Sequence, residues 1–347
     1  PDGKIVVAGD DLPGTIMGGG YPSSSLLLLT RLNADGSLDG TFGTGGKAAI
    51  TLPAAATGDA SVMRQADGKL VVVESTFSAS TGNQTYVARL NADGSPNLSF
   101  DSDGLVAIGG FQTPVVSAIT ADGRLILVGE AADFSSPMAM RLNTNGSVDT
   151  TFGANGVVRF ASYIDEPSAV AIQADGRIVV GLQQALLSNG PRHFAAVRLG
   201  ADGGVDTTFG TAGMATVDFG DGRESVNALT IDPSGRILLA GAVGSSFGVA
   251  RLNSDGSPDA TFDADGHATI AFNTISAATS VLVDASGNVI LGGWTGAASP
   301  LGTGTVKSDF AVARLSSAGA LDATFGSGGQ ATVDFSSIHG ATDPDRN

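Results

Sequence analysis

Residues 31–43 read RLNADGSLDGTFG, and the chain repeats the phrase five more times: RLNADGSPNLSFD from Arg89, RLNTNGSVDTTFG from Arg141, RLGADGGVDTTFG from Arg198, RLNSDGSPDATFD from Arg251 and RLSSAGALDATFG from Arg314. Six copies of one phrase point to a scaffold unit that must be stacked before it can bury its apolar face. A catalytic centre has no need of six copies. Function is therefore expected among the residues that do not repeat.

A second phrase precedes each copy: PDGKIVVAG from Pro1, ADGKLVVVE from Ala66, ADGRLILVG from Ala121, ADGRIVVGL from Ala174, PSGRILLAG from Pro233 and ASGNVILGG from Ala285. Apolar runs on both sides of a two-residue turn predict a β-hairpin. A third strand ends at each Arg-Leu and a fourth follows the thirteen-residue phrase, so each unit carries strands a, b, c and d. Six such units predict an all-β fold, a six-bladed β-propeller with four antiparallel strands per blade.

From each repeat arginine to the next hairpin glycine (Arg31 to Gly68, and so on to Arg251 to Gly287) the step is 34 to 37 residues, and from Arg314 through the chain end to Gly3 it is 36. The ends are thus in register for closure, in a single domain over 1–347. Blade one is expected from 1–52 plus a strand a at about 336–344, although SSIHGATD is a poor strand by propensity. The later blades are expected at 53–110, 111–161, 162–219, 220–273 and 274–335.

Composition agrees with tight turns and strands: of 347 residues, 42% are hydrophobic, only 15% are charged and 50 are glycine. The net charge of −16 argues against a nucleic-acid partner, because phosphate binding needs a basic footprint. With no cysteine there are no disulfides or thiolate metal sites. No apolar run is long enough to span a membrane. The chain starts without Met inside a repeat, so a removed signal peptide or other upstream sequence is expected.

ALTIDPSGRILLAG and ARLNSDGSPDATFDADG resemble the bacterial delta-60 repeat family of β-propellers over essentially the whole chain. The resemblance implies an exported or cell-surface bacterial protein without an established enzymatic role. Repeat six departs most, with Ser316, Ser317 and Ala318 in place of Asn, Ala and Asp.

Within the repeated phrase, Asn33, Asp35 and Ser37 alternate like calcium ligands, but Gly36 comes fourth where an EF-hand glycine comes sixth. An Asx-type turn is the favoured reading. Arg31, Arg89, Arg141, Arg198, Arg251 and Arg314 recur with Asp39, Asp149, Asp206, Asp259 and Asp322, and with Asn97 in repeat two. This predicts an intra-blade clasp with bidentate Arg–Asp pairing. Phe42, Phe100, Phe152, Phe209, Phe262 and Phe325 are expected to pin it to the apolar face.

The segment from hairpin glycine to arginine varies from 16 to 28 residues, all of it expected in the b–c loop. Those loops share a face with the d–a connections, which marks the binding face. The longest belong to units one and six, which closure makes neighbours. Their crest carries Tyr21, Trp294, Asp10, Asp11, Lys307 and Asp309 as candidate contacts for a protein or glycan partner. Short, little-charged edge strands d, of which Lys47 and Arg159 guard two, also admit an assembly role.

An enzyme is the runner-up, a channel-centred hydrolase or lactonase with Glu166 and Glu224 as catalytic carboxylates. Asp59, Asp165, Asp221, Arg223, Asn227 and His339 are the other polar candidates around the strand a starts. No cofactor is expected beyond calcium at Asp59, Glu166 and Glu224, and His193, His267 and His339 form no paired-histidine motif.

Overall fold

The computed structural model describes residues 3–11, 24–56, 60–78, 82–112, 115–160, 166–185, 190–296 and 308–334, with Asp11, Ala55, Ser78, Glu166, Gln184, Ala185 and Ser308 described by backbone alone. The described residues are strands and turns without a helix. The closing strand expected at 336–344 lies outside them. Two compact units divide the chain, Pro1–Tyr163 with Ala201–Gly204, and Ile164–Gly200 with Val205–Asn347.

The first unit holds three antiparallel sheets. The first is β1 (Ile5–Asp11), β2 (Ser25–Leu32) and β3 (Lys47–Leu52). In the second, β4 (Ala55–Ala56) and β5 (Ser61–Arg64) share the strand a position beside β6 (Leu70–Ser78), followed by β7 (Gly82–Leu90) and β8 (Leu105–Ile108). The third is β9 (Val116–Ile119), β10 (Leu125–Glu130), β11 (Pro137–Leu142) and β12 (Val157–Arg159).

The second unit holds three four-stranded sheets, each in sequence order. They are β13 (Glu166–Ile172), β14 (Ile178–Ala185), β15 (Arg192–Leu199) and β16 (Met214–Val217); then β17 (Glu224–Ile231), β18 (Ile237–Val243), β19 (Ser246–Leu252) and β20 (His267–Ile270). Last come β21 (Ile275–Val283), β22 (Val289–Gly296), β23 (Ser308–Leu315) and β24 (Gln330–Val333). These six sheets are the six repeats.

The core lies between neighbouring sheets of a unit. Leu27 and Leu29 of the first sheet pack with Leu70, Val72 and Leu90 of the second, whose Val71, Val73 and Val87 pack with Leu125, Leu127 and Met138 of the third. In the second unit Phe194 and Val179 meet Val226 and Leu239, while Phe247 and Val249 meet Ala278 and Leu291. A sheet covered on both faces loses the polar alternation of a half-exposed strand. Thus β15 is buried at seven successive residues, His193 to Leu199.

Two expectations need correction. The a–b hairpins do not use two-residue turns: Gly68 N–H donates to the Gln65 carbonyl and Gln65 N–H to that of Lys69, with Gly68 at φ +86°. Only the last residue of the Ala66-Asp67-Gly68 loop is left-handed, as in a three-residue hairpin closed by a glycine bulge. Nor does all length variation sit in the b–c loop. In the second sheet β6 and β7 are nine residues each, so the extra length extends the strands, whereas β18 and β19 are joined by Gly244 and Ser245 alone.

Phe247 is fully buried and lies tilted against Phe272 with ring centroids 4.7 Å apart, whereas Leu98 is 68% exposed. Phe247→Ala is expected to cost about 3–5 kcal/mol and Leu98→Ala under about 0.5 kcal/mol, read by denaturant unfolding.

Candidate functional site

The repeated arginines reach further than an intra-blade pair. Arg31 Nε donates to Asp39 Oδ2 at 2.6 Å and Nη2 to Thr41 Oγ1 at 3.2 Å, while Nη1 donates to the Ala92 carbonyl of the next blade. The Asp receives one arm, so the pairing is not bidentate. Arg89 reaches Thr144, Arg141 reaches Ala201, Arg198 reaches Ser254 and Arg251 reaches Ser317 in the same way. Beside each of these bonds, a backbone N–H from the same blade, such as Gly43 N–H to Asp93 O, grips the same turn.

Each guanidinium also lies over its own blade's phenylalanine, 4.6 to 4.9 Å from the ring centroid in all six blades. Phe42, Phe100, Phe152, Phe209 and Phe262 are buried; Phe325 is half-buried. The rings of Phe42, Phe100, Phe152, Phe209 and Phe262 are also met by the next blade's turn glycine. A Cβ on Gly256, at φ +88°, would stand 2.8 Å from the Phe209 ring. The clasp therefore joins blades within each unit as well as strands within a blade.

The acid is shared with the hairpin cation of the same blade. Lys4 bonds Asp39 at 2.6 Å, and Arg124 and Arg177 stand 3.2 and 3.0 Å from Asp149 and Asp206. In blade two, where Asn97 replaces the acid, Lys69 pairs with Asp67 of its own turn. A threonine or serine that sequence reading overlooked completes the set: Thr41, Thr151, Thr208, Thr261 and Thr324 each bond both arginine and acid, and Ser99 bonds Arg89 and Asn97. The alternating Asp35 and Ser37 are spent inside the turn, where Asp35 Oδ1 accepts Ser37 N–H and Oγ–H at 2.9 and 2.6 Å.

The crest residues are placed unevenly. Tyr21 and Lys307 lie outside the described residues, and Asp11 is described by backbone only. Asp10 and Asp309 are half-buried near the ends of β1 and β23. Trp294 is not on a loop: it lies within β22, directly opposite Phe310 of β23, and is half-buried. At the same register Phe194 and Phe247 pack into the following blade, whereas Phe310 is 63% exposed.

Among the channel candidates, Asp59, Asp165 and His339 lie outside the described residues, as does the side chain of Glu166. Asp221 and Arg223 are exposed, and Asn227 Nδ2 ties β17 to β21 through the Ala278 carbonyl at 2.8 Å. Glu224 is different: it is 1% exposed, yet its Oε2 has no hydrogen-bond partner. Burial pushes its carboxyl above the ordinary range, against the Phe219 N–H that Oε1 accepts at 2.9 Å.

The group facing Glu224 is one that sequence reading set aside. His193 Nδ1 stands 3.7 Å from Glu224 Oε2 and 3.3 Å from Asp218 Oδ1, and it too is buried without a hydrogen-bond partner. The strand register explains the meeting. Phe194 is opposite Val217 in β15 and β16, so His193 and Asp218 are the next facing pair, and Glu224 opens β17 six residues later. The connection is held by Arg192 N–H to Gly222 O at 3.1 Å and Gly244 N–H to Arg223 O at 3.0 Å. Phe219 sits edge-on between Phe194 and His267, with centroids 4.9 and 4.6 Å away. The three side chains gather at the b–c and d–a end of blades four and five, where an imidazole and two carboxylates can hold a cation or move a proton.

The architecture has a counterpart among known families. The model of a family described as "Domain of unknown function (DUF5122) beta-propeller" matches residues 1–42, 65–100, 120–152, 173–209 and 233–262, together just over half of the chain. The chain belongs to the DUF5122 β-propeller family. The matched segments run from hairpin to clasp phenylalanine. No curated protein matches the chain.

Solved structures similar to this DUF5122 chain include proteins of unknown function from Bacteroides caccae (12% identity, TM-score 0.45, 84% of this chain and 87% of that one) and Dyadobacter fermentans (13%, 0.44, 74% and 78%). Another is a protein from Lactobacillus plantarum (13%, 0.49, 90% and 82%).

Arg251 is 1% exposed, and its charge is answered by Asp259 at 2.7 Å. Asp259→Ala leaves that charge buried against a weakened counter-charge, and unfolding free energy is expected to fall by about 3–5 kcal/mol. A pH dependence follows from the same acids. The Thr151 hydroxyl first, then Thr151 N–H and Arg141, hold Asp149 below the ordinary carboxylate range against burial; Thr208 leads the same effect at Asp206. A depressed folded-state pKa stabilises above the unfolded value and is lost as pH falls through the folded one. Unfolding free energy should therefore drop below about pH 4, and the drop should be shallower in Asp149→Asn and Asp206→Asn, read as urea midpoints from pH 7 to pH 2.

Proposed function

We propose that this chain is a recognition or assembly module, an exported bacterial propeller whose b–c and d–a end contacts a protein or glycan. One observation supports the reading: the repeated polar groups of the clasp are engaged by the scaffold, whereas the unrepeated, unpartnered polar atoms of His193 and Glu224 lie at the variable end. Export and bacterial origin rest on the delta-60 resemblance, and closure of the blades with a strand at 336–344 rests on the even step between repeats. Both belong to the proposal. No helix of the described residues is long and apolar enough to cross a membrane.

Blade five shows that the scaffold accepts a two-residue b–c connection, which supplies the test. Replacing residues 12–23 and 297–307 by short Gly-Ser turns should leave the melting temperature within a few degrees. Binding to the ligand selected from an array of bacterial polysaccharides and peptides should fall at least about tenfold, a loss of roughly 1.4 kcal/mol. The reading fails if the shortened chain binds as the parent does. A chain that binds nothing on the array but hydrolyses esters or lactones, with loss of turnover in Glu224→Gln, would put the hydrolase reading in its place.

A further inference from the structure

We propose that His193, Asp218 and Glu224 form a binding site for one divalent transition metal of the zinc class. One ligand atom from each lies within 4.8 Å of the other two. In a four-coordinate site with bonds of about 2.0–2.2 Å, ligand atoms lie roughly 3.3–3.6 Å apart. The His193–Asp218 and His193–Glu224 separations of 3.3 and 3.7 Å already fit that spacing without a change of fold.

Burial makes the case specific. A buried polar atom ordinarily finds a hydrogen-bond partner, and an orphan calls for an ion or water. Here two orphans face each other: Nδ1 of His193, 8% exposed, and Oε2 of Glu224, 1% exposed. A cation between them would satisfy both lone pairs. Asp218 is exposed, and its Oδ1 also accepts Gly220 N–H at 2.7 Å, which fixes the carboxylate at the rim. The fourth coordination position then faces solvent, open to water or to an oxygen of a bound molecule.

The repeats supply an internal control. His193 stands five residues before the blade's arginine, and the other blades have Leu26, Gln84, Ser136, Ser246 and Asp309 there. Asp218 stands nine residues after the clasp phenylalanine, where the others have Thr51, Gly109, Ala161, Ala271 and Asp334. In blade six, Ser276 takes the place of Glu224, opposite Thr295 as Glu224 is opposite Val243. The triad is absent from the equivalent positions, so the scaffold does not require it.

The donor set chooses the metal. Calcium and magnesium take oxygen ligands, whereas imidazole with carboxylates suits zinc and its first-row neighbours. The site therefore differs in kind from a calcium site at Asp59, Glu166 and Glu224.

Full-length protein stripped with chelator would be titrated with zinc chloride by calorimetry, with metal content counted by mass spectrometry. One zinc per chain is expected, with a higher melting temperature when zinc is present. His193→Gln, Asp218→Asn and Glu224→Gln should each weaken binding on the order of tenfold or more, since even outer neighbours of a metal carry that much. Circular dichroism separates lost binding from lost fold. If the buried variants do not fold, exposed Asp218→Asn and the visible absorption of the cobalt(II)-loaded parent decide. Absence of stoichiometric zinc, binding unchanged in Asp218→Asn, or calcium binding as tight as zinc would overturn the assignment.

Discussion

The structure depends on a phenylalanine ring held from two directions. Its own blade's arginine lies over the ring, and in five blades the next blade's turn glycine packs against it. The guanidinium is weakly hydrated and planar, so it can be buried over a ring while its edge still donates hydrogen bonds. Those bonds go to an acid and a threonine in the same blade and to a carbonyl in the next. One side chain thus closes the c–d connection and fixes the spacing to the neighbour. A lysine would keep the charge but lose the geometry.

That arrangement explains both the regularity of the phrase and its exceptions. Where Asn97 stands for the acid, Arg89 loses its Nε partner, and Lys69 meets Asp67 of its own turn as Arg124 and Arg177 meet Asp122 and Asp175 of theirs. In repeat six the hairpin residue is Asn288, which bonds Asp284, and Asp322 keeps only Arg314. The clasp acid answers two cations in blades one, three and four and one in blade six, while Arg89 of blade two meets Asn97 in place of an acid.

Strands, their order and the existence of a clasp were legible because each leaves a periodic mark: apolar runs, glycine after Asp, and arginine with phenylalanine at a fixed distance. The reach of Arg31 to Ala92 was not, since the acceptor is a backbone carbonyl and leaves no trace in residue identity. Thr41 and its equivalents were overlooked for another reason. Their role appears only once the arginine is seen to have a third arm. Trp294 was misplaced on a loop because LGG reads as a strand end, whereas the glycines continue β22 to Gly296. His193 was dismissed for lacking a second histidine. The usable signal was register: pairing RHFAAVRL against MATVDF places His193 across from Asp218.

The clasp carboxylates and Glu224 are shifted in opposite directions. Asp149, Asp206 and Asp322 are held below the ordinary range, led by a threonine hydroxyl and supported by the clasp arginine, so their charge is fully spent on structure. Glu224 is pushed the other way by burial, with one oxygen bonded to Phe219 N–H and the other left open toward an imidazole. A group kept charged by its partners resists new chemistry, whereas a buried group short of partners binds whatever supplies the missing interaction. The repeat acts as a filter here. The arginine, phenylalanine and hydroxyl that recur in each blade are engaged by the clasp, whereas His193 and Glu224, which do not recur, keep buried polar atoms that the stacking leaves unpaired.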